Sequence, residues 1–100
     1  MANPQLLTRE QITSALGSLP GWSQSDKEIQ KHFQVKDFAA ALALVNAIGE
    51  QAETMDHHPD MLLHGWNKVR VAVSTHSAGG LTQNDMDLAK RINEIPTTGS

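Results

Sequence analysis

Residues 28–55, EIQKHFQVKDFAAALALVNAIGEQAETM, contain the change of hydrophobic period that decides the fold. From Glu28 to Lys36 apolar and polar residues alternate, and this pattern predicts a β-strand with one buried face. Lys31 interrupts the apolar face of that strand. Asp37 is a good N-cap, and the residues after it predict an α-helix that runs to about Met55. A strand followed directly by a long helix indicates a fold that mixes both kinds of element.

The flanking segments supply the other elements and the order of the fold. Thr8-Arg9-Glu10-Gln11 has the form of a capping box and predicts a first helix. The remaining predicted elements are a short strand from Trp22, strands over Met61–His64 and Asn67–Thr75, and a last helix opened by Thr82-Gln83-Asn84-Asp85. The order α-β-β-α-β-β-α predicts an α+β domain, with three helices on one face of a four-stranded antiparallel sheet. All 100 residues are expected to form this single domain, with an ordered core over about residues 8–95.

The composition excludes several classes of function. The net charge is −3 and the pI is near 5.9, so the chain has no excess positive charge to attract nucleic acid or an anionic membrane. Without cysteine it has neither disulfides nor thiolate metal sites. The most apolar stretch, Phe38–Ile48, is shorter than the roughly 20 residues that span a bilayer. Met1–Leu7 lacks the features of a signal peptide, and we therefore expect a soluble cytoplasmic protein.

The helix that begins near Phe38 is more apolar than the surface of a monomer permits. Asn46 is the single polar residue between Phe38 and Ile48, whereas a surface helix normally has a polar face. We infer that this helix is buried on two sides. One side is expected to pack on the sheet, and the other to contact another subunit.

Three histidines stand at the predicted ends of elements. His57 and His58 are adjacent at a helix end, just before Pro59, and His76 follows a strand. Rigid scaffolds present reactive groups at such positions. Glu53 lies four residues before His57 on the same helix face, so its carboxylate is expected to orient that imidazole. Ordinary imidazole titrates near ~6.5, which suits proton transfer at neutral pH.

Each of these residues also has a structural alternative. The adjacent histidines are compatible with a polar helix end, and His76 with an exposed strand end. Asp85 stands where a capping-box acid belongs, and that role is compatible with support of a site. Three histidines can also hold zinc, although adjacent histidines at a helix end usually point apart.

The histidines and their neighbours form a longer pattern. Glu53 is followed after three residues by His57-His58-Pro59, after six more by Trp66, after nine more by His76 and after eight more by Asp85. This order resembles the signature of the pterin-4a-carbinolamine dehydratase family. The resemblance covers about Thr8 to Ile95, and its fold is the one predicted above.

The resemblance implies an activity and a set of residues. Members remove water from a 4a-hydroxytetrahydropterin, giving a quinonoid dihydropterin, in the recycling of tetrahydrobiopterin. The catalytic residues implied are His57, His58 and His76. The supporting or substrate-binding residues implied are Glu53, Asp56, Pro59, Trp66 and Asp85. No metal and no cofactor are expected, since the pterin is the substrate.

The resemblance also implies partners and leaves a second function open. A homodimer or homotetramer is expected, with an aromatic amino acid hydroxylase as a possible pathway partner and no nucleic acid or membrane. Loss of water requires protonation of the hydroxyl and withdrawal of a proton from the neighbouring nitrogen, work that two groups titrating near neutrality can do. The three imidazoles are expected to surround one cavity. Some proteins of this fold instead bind transcription factors or assist assembly, but the retention of all three histidines favours the enzyme.

Overall fold

A computed structural model describes residues 5–96 and contains the predicted elements in the predicted order. Residues 1–4 and 97–100, and with them the two ends of the predicted domain, lie outside the described residues. The elements are α1 (Arg9–Leu16), β1 (Ser23–Ser25), β2 (Glu28–Gln34), α2 (Phe38–Met55), β3 (Asp60–His64), β4 (Lys68–Val73) and α3 (Gln83–Asn93). A short 3₁₀ helix, His76–Ala78, lies between β4 and α3.

The four strands form one antiparallel sheet in the order β1-β2-β4-β3. Because β2 and β4 pair Ile29 with Val73 and Phe33 with Val69, their apolar side chains share one face. The first residue of the outer strand β3, Asp60, is opposite Ala72 near the end of β4. The start of β3 and the end of β4 therefore lie at the same end of the sheet, and the three predicted catalytic histidines, His57, His58 and His76, flank them in the sequence.

All three helices pack on the apolar face of the sheet, which confirms the predicted fold class. Their buried side chains join those of β4 in one hydrophobic core. Truncation of a fully buried member to alanine is expected to cost about 2–5 kcal/mol. Members of this core are Ile12 from α1, Leu44 and Ile48 from α2, Leu88 and Ile92 from α3, and Val69, Val71 and Val73 from β4.

The helices begin where the sequence predicts. Thr8 Oγ1 accepts a hydrogen bond from the Gln11 N–H at 3.1 Å, and Gln11 Oε1 accepts one from the Thr8 N–H at 2.8 Å. Asp37 Oδ1 accepts from the Ala40 N–H at 2.8 Å and begins α2. Each cap satisfies N–H groups that have no partner within their helix.

The contacts of Lys31 explain the interruption of the apolar face of β2. Lys31 Nζ donates to Asn93 Oδ1 at 2.8 Å and lies 4.7 Å from the centre of the Phe33 ring. Asn93 Oδ1 also accepts from the Trp22 indole N–H at 2.9 Å. Burial lowers the pKa of Lys31 below its usual value of 10.5. The residue thus links the end of α3 to the sheet through a polar contact beside the core.

Helix α2 has one buried side and one exposed side in the single chain. Leu44 and Ile48 are buried against the sheet and α3, whereas Phe38 and Leu42 remain 49% and 45% exposed. The predicted contact of this exposed side with another subunit is not tested by a single chain and stays a prediction. Within residues 5–96, no helix is long and apolar enough to cross a membrane.

Candidate active site

The end of α2 sets the directions of His57 and His58. Asp56 adopts a left-handed conformation, with φ 51° and ψ 44°, and aspartate tolerates this conformation better than most residues. The His57 N–H donates to the Ala52 carbonyl at 3.0 Å, and the Asp56 N–H donates to the Glu53 carbonyl at 3.2 Å. These two bonds are those of a Schellman motif, which ends the helix and changes the chain direction. The backbone of Asp56 therefore sets the direction of the chain at His57, and its predicted supporting role stays a prediction.

His57 lies against the buried carboxylate of Asp85. Its Nε2 is 2.6 Å from Asp85 Oδ1, and the two side chains are 12% and 0% exposed. A short contact between an imidazole and a carboxylate is the arrangement that fixes the orientation of a proton-transferring histidine. The structure thus brings together two of the predicted residues from positions 28 apart in the chain.

Asp85 makes contacts in two directions. Its Oδ2 accepts from the Thr82 N–H at 2.8 Å, as the acid of the predicted capping box of α3. The same oxygen accepts from the Thr75 hydroxyl at 2.8 Å, and that hydroxyl is 2.8 Å from the hydroxyl of Thr82. The carboxylate therefore caps the helix with one oxygen and faces His57 with the other.

His76 begins the 3₁₀ helix directly after Thr75, and its side chain is exposed. The Thr75 N–H donates to the Gly80 carbonyl at 2.8 Å, and the Thr75 carbonyl accepts from the Ala78 and Gly79 N–H groups at 3.0 Å. These bonds hold the loop that carries His76 at the same end of the sheet as His57. The predicted convergence of three imidazoles on one cavity stays a prediction.

His58 faces a different side of the α2 end, and its partner corrects one expectation. Its Nε2 lies 3.3 Å from Glu53 Oε1, with side chains 55% and 79% exposed. The sequence predicts that Glu53 orients His57, and this prediction is wrong, because the Glu53 carboxylate contacts His58 instead. Both residues line an open groove of about 590 Å³, together with Pro59 and Met61.

Trp66 lies at the opposite end of β3 from His58. It occupies the turn between β3 and β4 with φ 60° and is 60% exposed. The five residues of β3, at about 3.3 Å each, separate the two ends by roughly 16 Å. The structure does not bring Trp66 to His57 within one chain, and its predicted role in substrate binding stays a prediction.

Two residues of the site were missed by reasoning from the sequence, Thr75 and Thr82. Thr82 was recognised as the start of a capping box, and Thr75 as part of a strand. The available signal was a hydroxyl residue directly before His76, but a strand pattern explains that threonine equally well.

Within residues 5–96, no group of three or more histidine, cysteine, aspartate or glutamate side chains is arranged to hold a metal ion.

The fold and the site agree with one protein class. The model of the family described as pterin 4 alpha carbinolamine dehydratase matches residues 5–95. This chain belongs to that family, which confirms the resemblance drawn from the sequence.

Relatives and solved structures give the same assignment. Proteins provisionally named pterin-4-alpha-carbinolamine dehydratase from Nocardia farcinica and a Cyanothece species are 48% and 47% identical to this chain over 91 residues. The matches cover 91% of this chain, and 95% and 93% of those relatives. A crystal structure of a transcriptional coactivator/pterin dehydratase from Brucella melitensis has a TM-score of 0.84 at 34% identity, covering 89% of this chain and 96% of that chain.

A more distant neighbour is similar in fold alone. It is a pterin dehydratase-like protein identified as a RuBisCO assembly factor in the alpha-carboxysome. Its TM-score is 0.57 at 18% identity, and the match covers 72% of this chain and 82% of that chain. The scaffold is therefore found in proteins described by different functions.

Proposed function

We propose that this protein is a hydro-lyase that dehydrates 4a-hydroxytetrahydrobiopterin, or a closely related reduced pterin, to a quinonoid dihydropterin and water. The substrate carries a hydroxyl on a carbon next to a ring nitrogen that bears a proton. One acid protonates the hydroxyl, the carbon–oxygen bond breaks, and water leaves. A base removes the proton from the nitrogen, whose electron pair forms the new carbon–nitrogen double bond. One proton enters and one departs, so the reaction requires no redox partner.

The observation that carries this proposal is the contact of His57 with the buried Asp85. A histidine held by a carboxylate keeps one orientation and one set of hydrogen-bond roles, as a proton-transfer group requires. Its ring is 12% exposed, which leaves an accessible edge for substrate. General acid–base assistance of this kind contributes roughly 10²–10⁴-fold to a rate.

The second proton-transfer group is assigned to His76 or His58. His76 is supported by its place on the loop held by Thr75, which itself bonds Asp85. His58 is supported by the groove beside it and by Glu53, which lies within contact distance of its ring. Pro59 fixes the chain that leaves the helix end, because its ring restricts its own φ and the conformation of the residue before it.

The wider setting is part of the same proposal. We infer that the protein works in the cytoplasm as a homodimer or homotetramer, in the recycling of tetrahydrobiopterin, and without a metal or cofactor. An aromatic amino acid hydroxylase, which would supply the carbinolamine, is the pathway partner that this chemistry suggests.

The test is the rate of dehydration of 4a-hydroxytetrahydropterin by purified protein, compared with His57→Ala and His76→Ala. His57→Ala is expected to lose roughly 10²–10⁴-fold in kcat, because it lacks a proton-transfer group, and a loss of the same size in His76→Ala would assign the second group to His76 rather than His58. His32→Ala is the matched control, since His32 is an exposed histidine on the other face of the sheet. Wild-type protein that is no faster than buffer would reject the enzymatic proposal.

A second candidate is a binding or assembly protein on the same scaffold. It is favoured by what is described for the two structural neighbours, one a transcriptional coactivator/pterin dehydratase and the other a RuBisCO assembly factor. In that case the His57 and His76 variants would retain the protein's physiological function, and the assay above would give no rate over buffer. A dehydratase with a second binding role would dehydrate the pterin faster than buffer. The histidine variants would then lose the dehydration but keep the binding.

A further inference from the structure

The carboxylate of Asp85 is surrounded by hydrogen-bond donors. Oδ1 faces His57 Nε2 at 2.6 Å, while Oδ2 accepts from the Thr82 N–H and the Thr75 hydroxyl, both at 2.8 Å. A second hydroxyl, that of Thr82, lies 2.8 Å from the hydroxyl of Thr75. Asp85, Thr82 and Thr75 are only 0%, 2% and 5% exposed. Bulk water therefore does not compete for these bonds.

The directions of these bonds follow from the number of hydrogens available. The Thr75 hydroxyl has a single hydrogen, which it gives to Asp85, so it must accept from the Thr82 hydroxyl. The two threonines and the carboxylate thus form a chain of hydrogen bonds that runs in one direction. Bonds aligned in this way strengthen one another in a buried site.

The same accounting assigns the proton on His57. An ionised carboxylate only accepts hydrogen bonds, and the donors at Oδ2 suit that form. His57 Nε2 must then donate to Oδ1. In the neutral imidazole this leaves Nδ1 without a hydrogen, free to accept a proton on the side away from Asp85.

We propose that Thr75 and Thr82 are positioning residues, which hold Asp85 as an acceptor and thereby keep the proton of neutral His57 on Nε2. Nδ1 is then the atom that exchanges a proton with the pterin. This last step rests on the proposed function, whereas the position of the proton is a property of the protein without substrate. Thr75 has a further effect because its backbone holds the loop that starts with His76.

The test combines a spectroscopic readout without substrate and steady-state kinetics. Histidine-labelled protein is examined by ¹⁵N NMR, which distinguishes a protonated from an unprotonated ring nitrogen. The unmodified protein is expected to carry the His57 proton on Nε2. Thr75→Val removes the hydroxyl at nearly constant volume and frees the carboxylate to turn away from His57, so it is expected to give a mixture of the two tautomers. Thr75→Ser keeps the hydroxyl and is expected to restore the original spectrum.

The kinetic arm separates positioning from binding. Thr75→Val is expected to lower kcat about 10-fold, part of what general acid–base assistance supplies, with KM changed less than about 2-fold. Thr82→Val removes the outer bond of the chain, together with the hydroxyl of the α3 capping box, and is expected to have a smaller effect on kcat. Thr75→Ser is expected to retain most of the wild-type kcat.

The outcomes distinguish this inference from the proposed function. A proton on Nδ1 of His57 in the unmodified protein would overturn the inference, whatever the activity. A Thr75→Val protein that melts earlier but keeps the wild-type tautomer and kcat would also overturn it, since that result indicates a purely structural residue. If Thr75→Val does not fold, the tautomer of His57 is measured in Thr82→Val instead. A detectable second tautomer supports the inference, and the wild-type tautomer alone overturns it. If no version dehydrates the pterin, the proposed function fails, and the spectra still decide where the proton lies.

Discussion

Replacement of Asp85 with asparagine tests the candidate site most directly. The variant keeps the shape of the side chain but replaces one carboxylate oxygen with an NH₂ group. The Thr82 N–H and the Thr75 hydroxyl both need an acceptor at the Oδ2 position, so the amide oxygen is expected there. The NH₂ group then faces His57 Nε2 and donates to it. His57 must consequently carry its proton on Nδ1, the opposite of the inferred arrangement.

The expected loss of activity is large and the loss of stability moderate. In a serine-protease triad, the corresponding exchange also gives the wrong tautomer and lowers kcat about 10⁴-fold. We expect a fall of roughly 10²–10⁴-fold here, because a second histidine remains. Hydrogen bonds to a charged acceptor are worth about 1 kcal/mol more than neutral ones. Three such bonds, partly offset by the easier burial of a neutral group, suggest about 2 kcal/mol and a Tm lower by roughly 10 °C.

The assay measures kcat at saturating 4a-hydroxytetrahydropterin, well below the Tm of the variant, with folding checked by circular dichroism. Asp87→Asn is the matched control because Asp87 is an exposed acid on the same helix, in contact with Gln83 at 2.9 Å. The control is expected to keep wild-type kcat and nearly wild-type stability. A folded Asp85→Asn protein with kcat within about threefold of wild type would refute the role given to the His57–Asp85 pair.

Three further predictions concern the rest of the molecule. Burial lowers the pKa of Lys31, so between its folded-state value and 10.5 the unfolded chain binds more protons and stability rises with pH. Urea unfolding at several pH values below 10.5 should detect this rise in wild type but not in Lys31→Met, and parallel curves would contradict it. Gly21→Ala should lose about 1–3 kcal/mol, because φ is +87° and the new Cβ would lie 2.7 Å from Lys31 Cε. Gly49→Ala, in a helix with open space around the new Cβ, should gain about 0.5–1 kcal/mol of stability. Equal shifts of the denaturation midpoints of Gly21→Ala and Gly49→Ala would contradict these two predictions. Leu42→Glu should dissociate the expected oligomer in sedimentation experiments, and a wild-type protein that sediments at 10.9 kDa would contradict the assembly itself.

Most of the fold could be predicted from the sequence because it depends on local interactions. Each helix start is fixed by bonds between residues three apart, such as those of Thr8 with Gln11, and the change of hydrophobic period separates β2 from α2. Strand ends depend on more distant partners. β2 stops at Gln34, before the predicted Lys36, and Val35 bonds Asn67 through both its N–H and its carbonyl at 2.9 and 3.0 Å.

The candidate residues of the site could be predicted from the sequence, but the contacts between them could not. The contact of His57 with Asp85 joins residues that local periodicity cannot connect. The expectation that Glu53 orients His57 assumed that the helix continues regularly to His57. Instead, the helix ends at Met55, as predicted, and the left-handed conformation of Asp56 redirects the chain, so that His58 meets Glu53. A spacing of four residues predicts a contact only within an uninterrupted helix.

The adjacent histidines His57 and His58 are consequently held in place by contacts of different strength. Asp85 is the first-turn acid of α3, the acceptor of the Thr75 hydroxyl just after β4, and the partner of His57 after α2. One fully buried group therefore ties three elements together at the candidate site, and a shift of any of them would disturb its bonds. His58 has an exposed contact with Glu53, of the kind that adds little to stability and loses strength as salt screens it. If both histidines transfer protons, His57 is the one whose position the fold itself determines, and His58 is the one that must gain its position from bound substrate or a neighbouring subunit.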